Sequence, residues 1–147
     1  MPLLTEAHYE MALNYFYYLL MDESVAINCA LKALQLYAKN NKSNIAGENV
    51  DEALIQVLSK VLHKRIKKKW LASGAPAKSE WKPPNSEVLA QWKEYLRHSD
   101  FDASETLVLR YVLGFPAKSI ARALELPEGT IYFRISRGLE VFAGSKA

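Results

Sequence analysis

Residues 114–135 read Gly114-Phe-Pro-Ala-Lys-Ser-Ile120-Ala121-Arg-Ala-Leu124-Glu-Leu126-Pro127-Glu-Gly129-Thr130-Ile131-Tyr-Phe-Arg-Ile135. A short helical run, a tight turn and a second helical run follow one another, the layout of a helix-turn-helix. Ile120, Ala121 and Leu124 form the inner face of the first helix, with Ala121 small enough to let the second approach and Leu126 plugging the corner. Ile131, Ile135, Leu139 and Phe142 recur at steps of four, four and three, which predicts one buried stripe on the second helix. Phe133, Ser136, Arg137 and Glu140 then lie on its outer face, with Tyr132 and Arg134 on the flanks. A helix that enters the major groove needs such a face, to present side chains to base edges while basic groups hold phosphates.

Upstream, Gly114 is a plausible stop for a helix over Ser104–Leu113, and Pro116 suits the first turn of the next helix. A further helix is expected over Glu87–His98. Between Leu71 and Ser86, Gly74, Pro76, Pro83 and Pro84 forbid a continuous helix and favour an extended, semi-rigid connector, so a linker is expected at 71–86. Before it, Tyr9, Leu13, Phe16 and Leu20 mark a first helix over Glu6–Leu20. Asp22 and Ser24 offer N-cap oxygens to a second helix over Val25–Tyr37. After the polar stretch Lys39–Glu48, Leu54, Val57, Leu58, Val61 and Leu62 give a third helix over Val50–Trp70. No alternating strand pattern bounded by hairpin turns occurs, so the expected class is all-α, as two small helical domains, 1–70 and 87–147.

Composition bounds the function. The 147 residues are 50% apolar and 24% charged, which excludes disorder over most of the length. Nineteen Lys and Arg against sixteen Asp and Glu leave a formal charge of +3, so placement and not bulk charge must identify any polyanion site. The longest apolar-looking run, Tyr15–Met21, is far short of the roughly 20 residues that span a bilayer, and no membrane span is expected. The opening MPLLTEAHYE lacks the pattern of a secretion signal and the single cysteine, Cys29, cannot pair within the chain, so a reducing cytoplasm is the expected compartment. His8, His63 and His98 have no metal-ligand spacing, and no phosphate loop or nucleophile motif occurs, so neither metal, cofactor nor catalytic activity is expected. Asp51-Glu52 is better explained by the helix dipole than by acid–base chemistry.

Six basic residues, Lys60, Lys64, Arg65, Lys67, Lys68 and Lys69, fall within ten positions that hold no acid and end on Trp70. Such a run is a solvated helix face or a salt-sensitive phosphate contact, with Trp70 either packed on a core or stacked on a base.

The run LVLRYVLGFPAKSIARALELPEGTIYFRISRGLE, residues 107–140, resembles region four, the C-terminal promoter-binding domain of bacterial RNA polymerase sigma factors. The LRYV-x-G stretch, the Ile-Ala pair after its glycine, the Leu-Pro turn and the Gly-Thr-Ile-x-x-Arg-Ile-x-Arg run follow the family's order without a gap. By that resemblance Arg110 touches the phosphate backbone, Tyr132, Phe133, Ser136 and Arg137 face the major groove, Thr130 and Arg134 support the helix start, and Lys118 joins the DNA-facing set. Asp22–Tyr37 is similar to the clamp-binding helix of region two, implying core polymerase contacts at Asn28, Leu31, Leu34 and Gln35. Leu54–Lys69 is similar to the helix that reads the melted downstream element.

In domain order and linker the chain resembles the small two-domain extracytoplasmic-function group. That implies core RNA polymerase and promoter DNA as partners, with an anti-sigma factor or other regulatory protein as a further one. It departs from the pattern at Glu125, where the family has glycine, at Tyr132 and Phe133, where basic and small residues are common, and at Asn28 and Leu31, where acids and glutamine are usual. Two other readings stay open: a sigma-like adaptor that binds another protein through its apolar surfaces, and a one-component helix-turn-helix regulator with a sensor or dimerisation half.

Overall fold

The structure, a computed structural model, describes residues 5–40, 50–68 and 87–145. Their elements are α1 (Glu6–Leu20), α2 (Glu23–Asn40), α3 (Val50–Lys68), α4 (Glu87–His98), α5 (Phe101–Leu107), a π-helical turn over Val108–Val112, α6 (Ala117–Leu124) and α7 (Glu128–Gly144). No strand occurs among the described residues, and the fold is all-α. Backbone contacts divide the chain into two compact units, Met1–Trp81 and Lys82–Ala147. The expected linker at 71–86, together with Lys69 and Trp70, lies outside the described residues. None of the described helices is long and apolar enough to cross a membrane.

In the first unit α2 packs against both α1 and α3. Thr5 starts α1 with a capping box: its hydroxyl accepts the His8 N–H at 3.4 Å, and its own N–H donates to His8 Nδ1 at 2.9 Å. Met21 ends α1 in the left-handed conformation, φ 54°, donating its N–H to the Tyr17 carbonyl at 2.7 Å. Asp22 then accepts the Val25 N–H at 3.0 Å and so caps α2. Ala26, Ala30 and Ala33 line the buried side of α2 and bring its backbone close to its neighbours. Leu13, Tyr15 and Phe16 fill the space from α1, and Leu54, Ile55, Leu58 and Leu62 from α3. Cys29 is buried among them, and desolvation pushes its thiol up against the opposing pull of Arg65 and Lys32.

The second unit is built on α5 and α7. Every residue from Ala103 to Leu109 is buried, so this central helix is enclosed on all sides. Ser104 and Thr106 turn their hydroxyls back to the Asp100 and Asp102 carbonyls at 3.0 and 2.8 Å, which satisfies them inside the core. Trp92 and Tyr95 of α4 pack on Phe142 of α7 with ring centroids 6.2 and 5.8 Å away, and Gln91 Nε2 donates to the Phe142 carbonyl at 2.9 Å.

Three expectations are corrected here. The helix expected over Ser104–Leu113 begins at Phe101 and widens after Leu107 into the π turn, where the Leu113 N–H reaches back to the Val108 carbonyl at 3.0 Å. The extra residue keeps Val108 and Leu109 in the core and turns Tyr111 and Val112 outward. Pro116 is the N-cap of α6 and not a helical residue, because its ψ of 149° is extended while its carbonyl already accepts the Ile120 N–H. Leu139 is 42% exposed, and the buried stripe of α7 is completed by Gly138 in its place, at steps of four, three and four from Ile131 through Ile135 to Phe142.

Gly138 is glycine for a steric reason. A Cβ there would stand 2.9 Å from Leu107 Cδ1 and 3.3 Å from Tyr95 Oη, inside contact distance of a closed core. Gly138→Val should therefore lower the unfolding free energy of this unit by about 2 kcal/mol through overpacking, read from urea denaturation of the full chain. An unchanged midpoint would contradict the close approach.

Candidate nucleic-acid interface

α6 and α7 are joined by a turn whose hydrogen bonds are those of a Schellman motif. The Leu126 N–H donates to the Ala121 carbonyl at 2.9 Å, and the Glu125 N–H to the Arg122 carbonyl at 3.3 Å. Glu125 occupies the left-handed position, φ 58°, where a side chain crowds the backbone at a cost of about 1–2 kcal/mol. Ile120 and Ala121 are buried as expected, while Leu124 and Leu126, at the corner itself, are only half-buried. Ala117 and Ala123 complete the inner face of α6. The turn sets the direction in which α7 leaves, and so which of its side chains face outward.

On α7 the stripe of Ile131, Ile135, Gly138 and Phe142 faces the core, and Phe133 stands opposite it at 64% exposure. Tyr132, at 59%, lies beside it, and Ser136, Arg137 and Glu140 continue the same exposed face. Arg134 is on the flank, where its guanidinium meets the Asp102 carboxylate at 3.5 Å and ties α7 to α5. Thr130 is half-buried, its N–H donated to the Pro127 carbonyl at 3.0 Å. Lys118 is exposed in the first turn of α6. Arg110, half-buried on the π turn, lays its guanidinium 5.4 Å from the Tyr111 ring centroid. Arg137 and Lys118 form no ion pair among the described residues.

The sequence pattern missed Asp102, Tyr111 and Val112. Asp102 lies in the first turn of α5, 32 positions before its partner Arg134, and nothing in the spacing announces the pair. Tyr111 and Val112 are turned out by the π insertion, which no apolar periodicity encodes.

In the first unit Lys60 and Lys64 are exposed one turn apart on α3, and Arg65 is half-buried. The side chains of Lys67 and Lys68 lie outside the described residues. On α2, Leu31 and Gln35 are exposed, Leu31 by 38%, and Asn28 and Leu34 are half-buried. Asn28, Leu31 and Gln35 share the side of α2 away from Ala26, Ala30 and Ala33, whereas Leu34 lies one turn beyond the buried Ala30 at the edge of that side. Among the described residues no group of three or more His, Cys, Asp or Glu could hold a metal ion.

The strain at Glu125 gives a direct check of the turn. Glu125→Gly removes the side chain from a positive-φ position and should raise the unfolding free energy by about 1 kcal/mol, measured by denaturant titration. A loss of stability would contradict the left-handed turn.

Residues 102–140 match the family model of sigma-70 region 4. A comparison with curated protein sequences finds no match. Among solved structures, the chain is similar to the sigma factor RpoE of Bartonella quintana, crystallised in complex with the anti-sigma factor NepR, with a TM-score of 0.72 and 16% identity over 92% of this chain and 89% of that one. Residues 102–140 are thus similar to sigma-70 region 4, and the chain that contains them shares the all-helical fold of that sigma factor.

Proposed function

We propose that the chain is a sigma factor of the small two-domain kind, which binds core RNA polymerase and directs it to promoter DNA without catalytic activity of its own. The observation that carries this reading is the region 4 domain, whose α7 exposes Arg137, Ser136, Phe133 and Tyr132 on the side away from the core. In this mechanism α7 lies in the major groove of the upstream promoter element, with Lys118 and Arg110 toward phosphates. Residues 1–70 act as the region two-like domain. There α2 docks on the polymerase through Asn28, Leu31, Leu34 and Gln35. The cations of α3, Lys60, Lys64 and Arg65, with Lys67, Lys68, Lys69 and Trp70 beyond them, hold the melted downstream strand. The linker at 71–86 sets the spacing between the two elements. An anti-sigma factor or other regulatory protein is the expected further partner, as the structural relative was crystallised with an anti-sigma factor, and the work is done in the cytoplasm.

A second reading, favoured by the exposure of Leu31, is an adaptor that has kept the fold and binds a different protein. Co-purification with bacterial core RNA polymerase, together with fluorescence anisotropy on duplex DNA at two salt concentrations, separates the two. The sigma reading expects polymerase association and affinity that falls steeply with salt. Retention of some other protein with neither property supports the adaptor.

Two substitutions sharpen the test. Arg137→Ala should cost about 1–3 kcal/mol of duplex affinity and relax sequence preference, read by anisotropy on specific and random duplexes. Replacing Lys60 and Lys64 by Ala should weaken binding of melted-promoter DNA uniformly across sequences and flatten its salt slope by about 2. Unchanged binding in both variants would remove the DNA-facing assignments.

A further inference from the structure

The first turns of α7 carry an arrangement that hydrogen-bonding readout does not explain. Phe133 sits at the centre of the outer face, opposite the core stripe, with Tyr132 about 100° round the helix on its flank, and both residues are more than half exposed. One turn before Phe133 is Gly129, where an added Cβ would meet no atom within 4 Å. The helix surface one turn before Phe133 is therefore open, and Phe133 itself is 64% exposed. A phenyl ring has no donor or acceptor to offer a base edge, so what it can recognise is an apolar group.

The surroundings of the rings identify what covers them. Arg137, one turn beyond Phe133, and Lys118, in the first turn of α6, are exposed cations with no ion-pair partner among the described residues. α6 and α7 both begin at prolines, Pro116 and Pro127, and neither proline supplies a side-chain cap. Two uncapped helix ends and two exposed cations without an ion pair, on the same two helices, complement a phosphate backbone. Glu128 and Glu140 bound the outer face at its two ends, and Leu139, the third exposed apolar residue of the helix, lies two turns beyond Tyr132. Two rings in a largely polar setting are a small apolar surface for a protein partner, but they match single methyl groups in size. In the major groove the one apolar group a base pair presents is the thymine 5-methyl.

We propose that Phe133, supported by Tyr132, reads thymine 5-methyl groups in the major groove of duplex DNA, so that the upstream element this chain selects contains thymine at the positions facing these rings. The inference rests on the sigma-factor reading above and adds a chemical specificity to it. Burying one methyl group is expected to change affinity about fourfold.

The test uses the full chain, alone and with core RNA polymerase, to enrich duplexes from a random library. The enriched sequences are then synthesised with deoxyuridine in place of single thymidines, which removes the 5-methyl and leaves the base pairing intact. The proposal expects affinity to fall about fourfold at one or two thymines of the upstream element. Phe133→Ala or Tyr132→Ala should bind the thymine and uracil duplexes equally, while Phe133→Leu, which keeps an apolar side chain, retains a preference. Circular dichroism of each variant checks that helicity is unchanged.

Equal affinity of the unaltered chain for thymine and uracil duplexes overturns the proposal while leaving DNA binding intact. So does a uracil penalty that persists in both alanine variants, or an enriched element without thymine. Unaltered duplex affinity of the alanine variants, coupled to lost polymerase association, marks the face as a protein surface and also overturns it. Absence of duplex binding, alone and with polymerase, overturns both this proposal and the promoter-binding reading beneath it.

Discussion

The second unit depends on how closely α7 can lie against α5. At Gly138 the two backbones approach until the Leu107 side chain fills the place a Cβ would take, and Tyr95 closes the same space from α4. With that contact made, Ile131 and Ile135 fall into the core, Phe142 joins the aromatic cluster with Trp92 and Tyr95, and the opposite side of the helix must face outward. The exposed face is therefore a geometric consequence of the buried one. The Schellman turn acts at the other end of the same helix, because Glu125 and Leu126 set where α7 begins and how it leaves α6.

Polar interactions refine this arrangement without driving it. The Arg134–Asp102 pair joins α7 to α5 across 3.5 Å with both side chains partly in solvent, and such a pair contributes at most about 1 kcal/mol. Its larger effect is to commit one cation of α7 to the scaffold, while Arg137 is exposed and forms no ion pair among the described residues. The same division occurs in the first unit, where Arg65 is half-buried and its charge bears on Cys29, while Lys60 and Lys64 remain in solvent.

Much of this was legible in the sequence where regular periodicity and capping residues agreed. The bounds expected for α1 and α4 are the bounds found, and the turn at Glu125-Leu126-Pro127 follows from its residues even without the usual glycine. The misreadings share a cause. Leu139 is apolar and fits a four-residue step, but helix packing placed a residue without a side chain on the stripe, and the apolar one turned outward. The π turn is set by how Leu109 and Phe115 seat in the core, a tertiary fact, and its outward Tyr111 and Val112 could not be told from core residues by type. Of the site, the order of residues on α7 could be derived from spacing, whereas the pairing of Arg134 with a residue 32 positions away could not.

The central claim is that this fold works with polymerase to start transcription. Its most direct test is run-off transcription by purified core RNA polymerase, with and without the full chain, on genomic fragments of the organism that carries it, with transcript 5′ ends mapped. The account predicts discrete start sites that arise only when the chain is present, preceded at a constant distance by a shared upstream element. Transcription whose start sites are the same with and without the chain, under conditions where the chain is bound to the polymerase, would contradict it.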